Sequence, residues 1–154
     1  MHIHNVASSH EVTLALKAIL EAADGAKPLL LLLPGGSAAK VGVAALEMVG
    51  DDTLSRINVT LTDERYGVVN HKHSNWTRLQ ELGLSSKIHE VPVLQNKDAT
   101  STSEEWNHEL DERSKNSTVI ALFGIGTDFH IAGIKPGHEF NSSELTAHYV
   151  AKDF

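Results

Sequence analysis

The chain has 154 residues, a length that fits a single domain and buries enough surface to make a core. Hydrophobic residues make up 41% and charged residues 21%, which excludes wholesale disorder, and the absence of cysteine excludes a disulfide framework or a thiolate metal site. A formal net charge of −7 disfavours nucleic acid as a bulk partner, and full protonation of the ten histidines would reverse its sign.

In chain order, Met1-His2-Ile3-His4-Asn5 lacks a basic region followed by an apolar one, and no apolar run approaches the length of a bilayer span. A cytoplasmic protein without membrane contact is expected. Ser8-x-x-Glu11 forms a capping box, and Val12, Leu16, Ile19 and Ala23 fall on one face of a helix that Asp24-Gly25 ends. Leu29 to Leu33 is a continuous apolar run between Pro28 and Pro34. Its length, and the push of Pro34 toward extended geometry, predict a buried parallel strand. Ser37 is the expected N-cap of the next helix, with Val41, Ala44, Ala45 and Met48 inward and Gly50 at its end. Ile57 to Leu61 alternates as a strand. Ser74 to Leu82 reads as a short helix with Trp76 and Leu79 inward. Ile88 to Val93 reads as an edge strand because Pro92 interrupts it. Ser101-x-x-Glu104 and Thr102-x-x-Glu105 offer capping boxes to a helix carrying Trp106 and Leu110. Thr118 to Phe123 reads as a second buried strand, and Leu145 to Val150 as one more. Alternation at this spacing predicts an α/β fold. Its form is a three-layer, doubly wound, mostly parallel Rossmann-like sheet with helices on both faces and ligands at the carboxyl ends of the strands.

Three strand ends carry chemistry. Gly35-Gly36-Ser37 lets backbone N–H groups approach an anion at a helix start, although it also fits a plain turn, and it lacks the Gly-Lys-Ser/Thr of a P-loop. Thr62-Asp63-Glu64-Arg65-Tyr66 offers Asp63 for a proton or a sugar hydroxyl and Arg65 for phosphate; a solvated turn has the same composition. Gly124-Ile125-Gly126-Thr127-Asp128-Phe129-His130 supplies an acid/base pair, Asp128 and His130, in a glycine-flanked loop. His2-x-His4 and His71-x-His73 fix no tetrahedral set, so no metal is expected. Ser37, Asp63 and His130 follow the chain order of an α/β-hydrolase triad, but Gly35-Gly36-Ser37-Ala38-Ala39 lacks the final glycine of the elbow.

Together, Gly35-Gly36-Ser37, Asp63-Glu64-Arg65, Ser74-Asn75-Trp76, and Gly124-x-Gly126-x-Asp128-x-His130-x-Ala132 before Pro136-Gly137 resemble the 6-phosphogluconolactonase and glucosamine-6-phosphate isomerase superfamily. The resemblance runs from about Leu29 to Gly137. It implies a phosphorylated-sugar site at the carboxyl edge of the sheet and no cofactor. In that site Gly35, Gly36, Ser37 and Arg65 would hold phosphate and His130, Asp128 and Asp63 would be catalytic. Arg65 resembles the lactonase branch, where the isomerases usually have Tyr, whereas His130-Ile131-Ala132 resembles the isomerases. Lys135 stands where those enzymes carry a glutamate before Pro-Gly. The implied activity is therefore hydrolysis of 6-phosphogluconolactone. The alternatives are a non-catalytic sugar-phosphate binder and an aldose–ketose isomerase or deaminase with Asp63 as base.

Two departures from the family pattern stand out. Phe129 replaces a glycine, so a narrowed pocket or an altered backbone is expected there. The family normally continues through a further strand and helix bearing a phosphate-holding lysine. Residues 1–154 are thus expected to form one sugar-phosphate-binding domain lacking that part, with a sheet edge that favours a homodimer.

Overall fold

The computed structural model describes residues 5–138 and 144–150. The elements are α1 (Ser9–Ala22), β1 (Leu29–Leu33), α2 (Ala38–Met48), α3 (Asp51–Leu54), β2 (Ile57–Leu61), α4 (Asn75–Glu81), β3 (His89–Glu90), α5 (Ala99–Asn116) and β4 (Thr118–Ala121). The four strands form one all-parallel sheet in the order β3-β2-β1-β4. Strands added in sequence therefore move outward from β1 to β3, and β4 returns to the other side of β1. That reversal is the doubly wound pattern expected from the sequence.

The continuous leucine run is explained by its place. β1 has strands on both sides and packing on both faces, and Leu29, Leu30, Leu31 and Leu33 are all buried. Leu29, Leu31 and Leu33 join Ile57, Val59 and Leu61 of β2 in the main core with α1, α2 and α4. The side chains between them point the other way. Among these, Asn58 accepts a hydrogen bond from Arg113 Nη1 of α5 at 2.9 Å, which lays α5 over the second face. Burial of a leucine side chain on this scale contributes roughly 2 kcal/mol, so the β1 leucines dominate the core.

Several expectations change in detail. In α1 the buried stripe is Thr13, Leu16 and Leu20, and Ile19 is 53% exposed. Spacings of three and four from Leu16 both satisfy a helical face, and contact with α2 selects the latter. In α2 the stripe runs through Ala39, Gly42, Val43 and Leu46, leaving Met48 exposed. A Cβ at Gly42 would lie 2.6 Å from Leu33 Cδ2, so this glycine lets α2 press onto β1. Ser8 accepts from Glu11 N as the α1 cap, but Ser37 makes no capping bond. The α5 cap is Asp98, which accepts from Ser101 N at 3.0 Å, so both proposed capping boxes lie inside the helix.

β4 is a sheet-edge strand rather than a second buried one. Ile120 and Leu122 face the core, while Val119 and Phe123 are about half exposed. Leu145 to Val150 forms no strand. Asn107 Oδ1 of α5 accepts from Leu145 N at 2.7 Å, and Thr146 Oγ1 donates to Ser103 O at 2.8 Å, so the segment lies against α5. β3 is an edge strand of two residues, as Pro92 predicts. Among the described residues no helix is long and apolar enough to cross a membrane.

Candidate functional site

The loops after β1, β2 and β4 meet at the carboxyl end of the sheet, where the strand order reverses. The β2 turn is the most interlocked. Glu64 Oε1 accepts from Arg65 N and Asn75 N, both at 2.7 Å, and Oε2 accepts from Ser74 Oγ at 2.8 Å and Trp76 N at 3.2 Å. Ser74 Oγ in turn accepts from Thr77 N at 3.1 Å. Glu64 thus occupies the first N–H groups of α4 and ties the turn to the helix. Asn75 Nδ2 donates to Asp63 O at 2.9 Å and to Asp63 Oδ2 at 3.0 Å, while Thr62 Oγ1 donates to Asp63 Oδ1 at 3.2 Å. The Asp63 carboxylate is therefore oriented from both oxygens.

Gly35 belongs to the same cluster. A Cβ at this position would sit 2.0 Å from Asn75 Oδ1, so only glycine lets the β1 loop lie against Asn75. Gly36 has φ 62°, a left-handed conformation that favours glycine. Ser37 is exposed and its hydroxyl has no partner among the described residues.

The β4 loop closes on itself. Gly126 N donates to His130 O at 3.0 Å, Phe129 N donates to Gly126 O at 2.9 Å, and Ile131 and Ile134 exchange backbone bonds. Inside this frame His130 Nδ1 lies 2.5 Å from Asp128 Oδ1. The bond from His130 holds the Asp128 carboxyl below the usual aspartate range. When the imidazole is neutral, an Nδ1–H donated to Asp128 makes Nε2 the basic nitrogen. A Cβ at Gly126 would fall 2.3 Å from His130 Nδ1, so the pair depends on that glycine. The loop joins its neighbours at two places. Gly124 approaches Ala38 at the start of α2, and a Cβ on Gly133 would lie 3.2 Å from Asp63 Cβ. Gly133 O also accepts from the Tyr149 hydroxyl.

The Phe129 backbone keeps a glycine-like conformation, φ 63°, with the ring 75% exposed. The expected narrowing is therefore replaced by local strain with the side chain turned outward.

Arg65 is exposed, and its guanidinium has no partner among the described residues. Its carbonyl accepts from His71 Nε2 at 2.8 Å, while His71 Nδ1 accepts from His73 N at 3.2 Å. Both His71 nitrogens are thus used in shaping the loop. Among the described residues no three His, Asp or Glu side chains cluster as a metal site; His2 and His4 lie outside the described residues.

The structure therefore links Gly35, Asp63, Asp128 and His130 through Asn75, Gly126 and Gly133, and leaves Gly36, Ser37 and Arg65 at the exposed rim. Sequence reading gave no role to Glu64, Asn75 or Tyr149. Asn75 had a usable signal in its place directly after the N-cap Ser74. Tyr149 had none, because its contact joins two distant loops.

A profile of glucosamine-6-phosphate isomerases/6-phosphogluconolactonase matches residues 5–153. The chain belongs to this family. Among solved structures, a devB protein superposes with TM-score 0.77 at 20% identity, covering 95% of this chain and 67% of the other. The 6-phosphogluconolactonase from Leishmania guyanensis gives 0.67 at 20% identity, over 87% and 63% of the two chains. The Thermotoga maritima 6-phosphogluconolactonase gives 0.64 at 23% identity, over 82% and 57%. These likenesses establish the family fold, and the chain spans about two thirds or less of each of those lengths. Sequence comparison with curated proteins finds no match.

Proposed function

We propose that the protein hydrolyses 6-phosphogluconolactone to 6-phosphogluconate. The observation that carries this reading is the Asp128–His130 couple, built into a glycine-dependent loop that abuts Asp63. A lactone is an activated ester, so a positioned base and a water suffice. His130 Nε2 takes a proton from water as the water oxygen attacks the lactone carbonyl carbon. The tetrahedral intermediate collapses with cleavage of the ring C–O bond, and the imidazolium returns the proton to the departing ring oxygen. Asp128 stabilises the imidazolium between these steps. Asp63, held by Asn75 and Thr62, accepts a hydrogen bond from a sugar hydroxyl. The Gly35-Gly36-Ser37 backbone and the Arg65 guanidinium take the phosphate.

Lys135 in place of a carboxylate before Pro136-Gly137 supports hydrolysis over isomerisation, because ring opening by His130 then lacks that acidic partner. The proposed setting is cytoplasmic. The proposed assembly is a homodimer over β4, supported by the half-exposure of Val119 on a strand that has one neighbour among the described residues.

A steady-state lactonase assay with the spontaneous reaction subtracted tests the proposal, and glucosamine-6-phosphate is the comparison substrate. His130→Ala is expected to lower kcat roughly 10²–10⁴-fold, the usual range for a general base. Turnover unchanged in that variant, or preference for glucosamine-6-phosphate, overturns the assignment. Tight phosphosugar binding without turnover would instead identify a binding protein.

A further inference from the structure

The opposite end of the sheet carries a cluster of cations. An open surface groove of about 460 Å³ lies at the amino ends of β1, β2 and β3, lined by Lys27, Arg56, Asn58, Ser55 and His89 with Ala26 and Pro28. No carboxylate lines it, in a chain whose net charge is −7. Its volume lies within the usual range for small-molecule sites.

Three of the polar side chains here, on Arg56, Asn58 and His89, are held by hydrogen bonds. Arg56 Nη1 donates to Asp24 O and Lys27 O, both at 2.7 Å, which immobilises the guanidinium and leaves its Nε–H and Nη2–H groups unused among the described residues. The Lys27 ammonium has no partner among them. His89 Nε2 lies 3.0 Å from Ser55 O and must donate to that carbonyl, which orients its ring. Behind the lining, Arg113 bonds Asn58 Oδ1 and is neutralised in part by Glu109 at 2.8 Å. The nearby Asp24 carboxylate is occupied by Ala26 N at 3.0 Å.

Two cations, with six N–H donors that no described protein group takes, thus line one groove that holds no carboxylate. The ligand this lining favours is rich in acceptors and negatively charged. A phosphate group fits, with charge near −2 and three terminal oxygens able to take several donors at once, whereas a monocarboxylate satisfies fewer. We infer that this groove is a second anion site that takes the phosphate group of a small metabolite, separate from the carboxyl-end site.

The test is an NMR titration of the full isotope-labelled chain with inorganic phosphate at constant ionic strength. Saturable shifts are expected at the Arg56 Nε–H, the Lys27 amide and the His89 ring. Lys27→Gln and Arg56→Gln should each weaken binding by roughly tenfold or more, as loss of a charge-assisted contact does. Lys27→Gln removes no bond that the fold uses, so it keeps the test open if Arg56→Gln unfolds. Arg65→Ala, at the far end of the sheet, should leave these shifts intact even if the lactonase reading fails. Absence of saturable shifts, an unchanged affinity in Lys27→Gln, or loss of the shifts in Arg65→Ala overturns the inference. Equal binding of succinate would overturn the assignment to phosphate.

Discussion

The turn after β2 and the loop after β4 both present acidic residues at the same end of the sheet, yet they are built in opposite ways. Glu64 takes four donors from four residues and is locked to α4, and Asp63 is oriented by Asn75 and Thr62. Asp128 and His130 are half-exposed and bonded to each other within their own loop. In the first region Glu64 serves architecture, since three of its four donors are backbone N–H groups, and Asp63 is oriented by side chains that leave it accepting capacity. In the second the frame is made by backbone bonds and glycines, with Asp128 and His130 paired inside it. Replacing Glu64 should therefore cost mainly stability, whereas replacing Asp128 or His130 should cost mainly the proposed activity.

The largest test of that division is Glu64→Ala. It strands the N–H groups of Arg65, Asn75 and Trp76 in a partly buried setting, and should destabilise the fold by roughly 3 kcal/mol. Denaturant unfolding would measure it, and a loss well under 1 kcal/mol would show that water replaces the carboxylate without consequence. Next comes Gly35→Ala. The new methyl would stand 2.0 Å from Asn75 Oδ1, so Asn75 must release Asp63 or the loop must move. A loss of about 2 kcal/mol is expected from overpacking, together with lower turnover because Asp63 loses its orientation. Wild-type stability and rate together in this variant would separate the β1 loop from the site.

The fold was legible where one physical cause acted alone. Five leucines between prolines allow little but a buried strand, and the glycine-rich segments after strands are the loops that meet at the carboxyl end of the sheet. Legibility failed where two causes compete. Leu16 pairs equally well with Ile19 or Leu20 by spacing, and only the α2 surface decides between them. Ser101 and Thr102 satisfy the capping pattern, but Asp98 caps α5 first. β4 has the composition of a buried strand and an edge position, because composition does not count neighbours. Glu64 joins Ser74, Asn75 and Trp76 ten or more residues away, and Tyr149 reaches Gly133 across sixteen, so local spacing did not show those bonds even though the Ser74 cap marked Asn75.

A smaller effect concerns Phe129. A left-handed backbone costs an L residue roughly 1–2 kcal/mol, and glycine gives back part of this through its unfolded-state entropy. Phe129→Gly should therefore change stability by under about 1 kcal/mol and remove an exposed ring. If the Asp128–His130 geometry depends on loop backbone rather than on the ring, the variant retains whatever rate the proposed lactonase assay gives the wild type. A large loss of rate with stability unchanged would instead make the ring part of the substrate surface.

The smallest effect is a pH dependence confined to the β4 loop. The bond from His130 depresses the Asp128 pKa below an ordinary aspartate value of 3.8. A carboxyl with a lowered folded pKa binds fewer protons when folded than when unfolded. The stability it contributes is therefore fully present above its ordinary value and is lost as pH falls through the folded value. Because the pair is solvent-exposed, this contribution is small and screened by salt. Acid titration followed by NMR should show the Gly126 and Ile131 amides loosening below about pH 4, while β1 amides such as Leu31 stay protected. Asp128→Asn keeps an acceptor for the imidazole but removes the titrating charge, so the loop amides should lose that step. If the step persists in the variant, another group governs the loop, and the autonomy claimed for this region against the β2 turn fails.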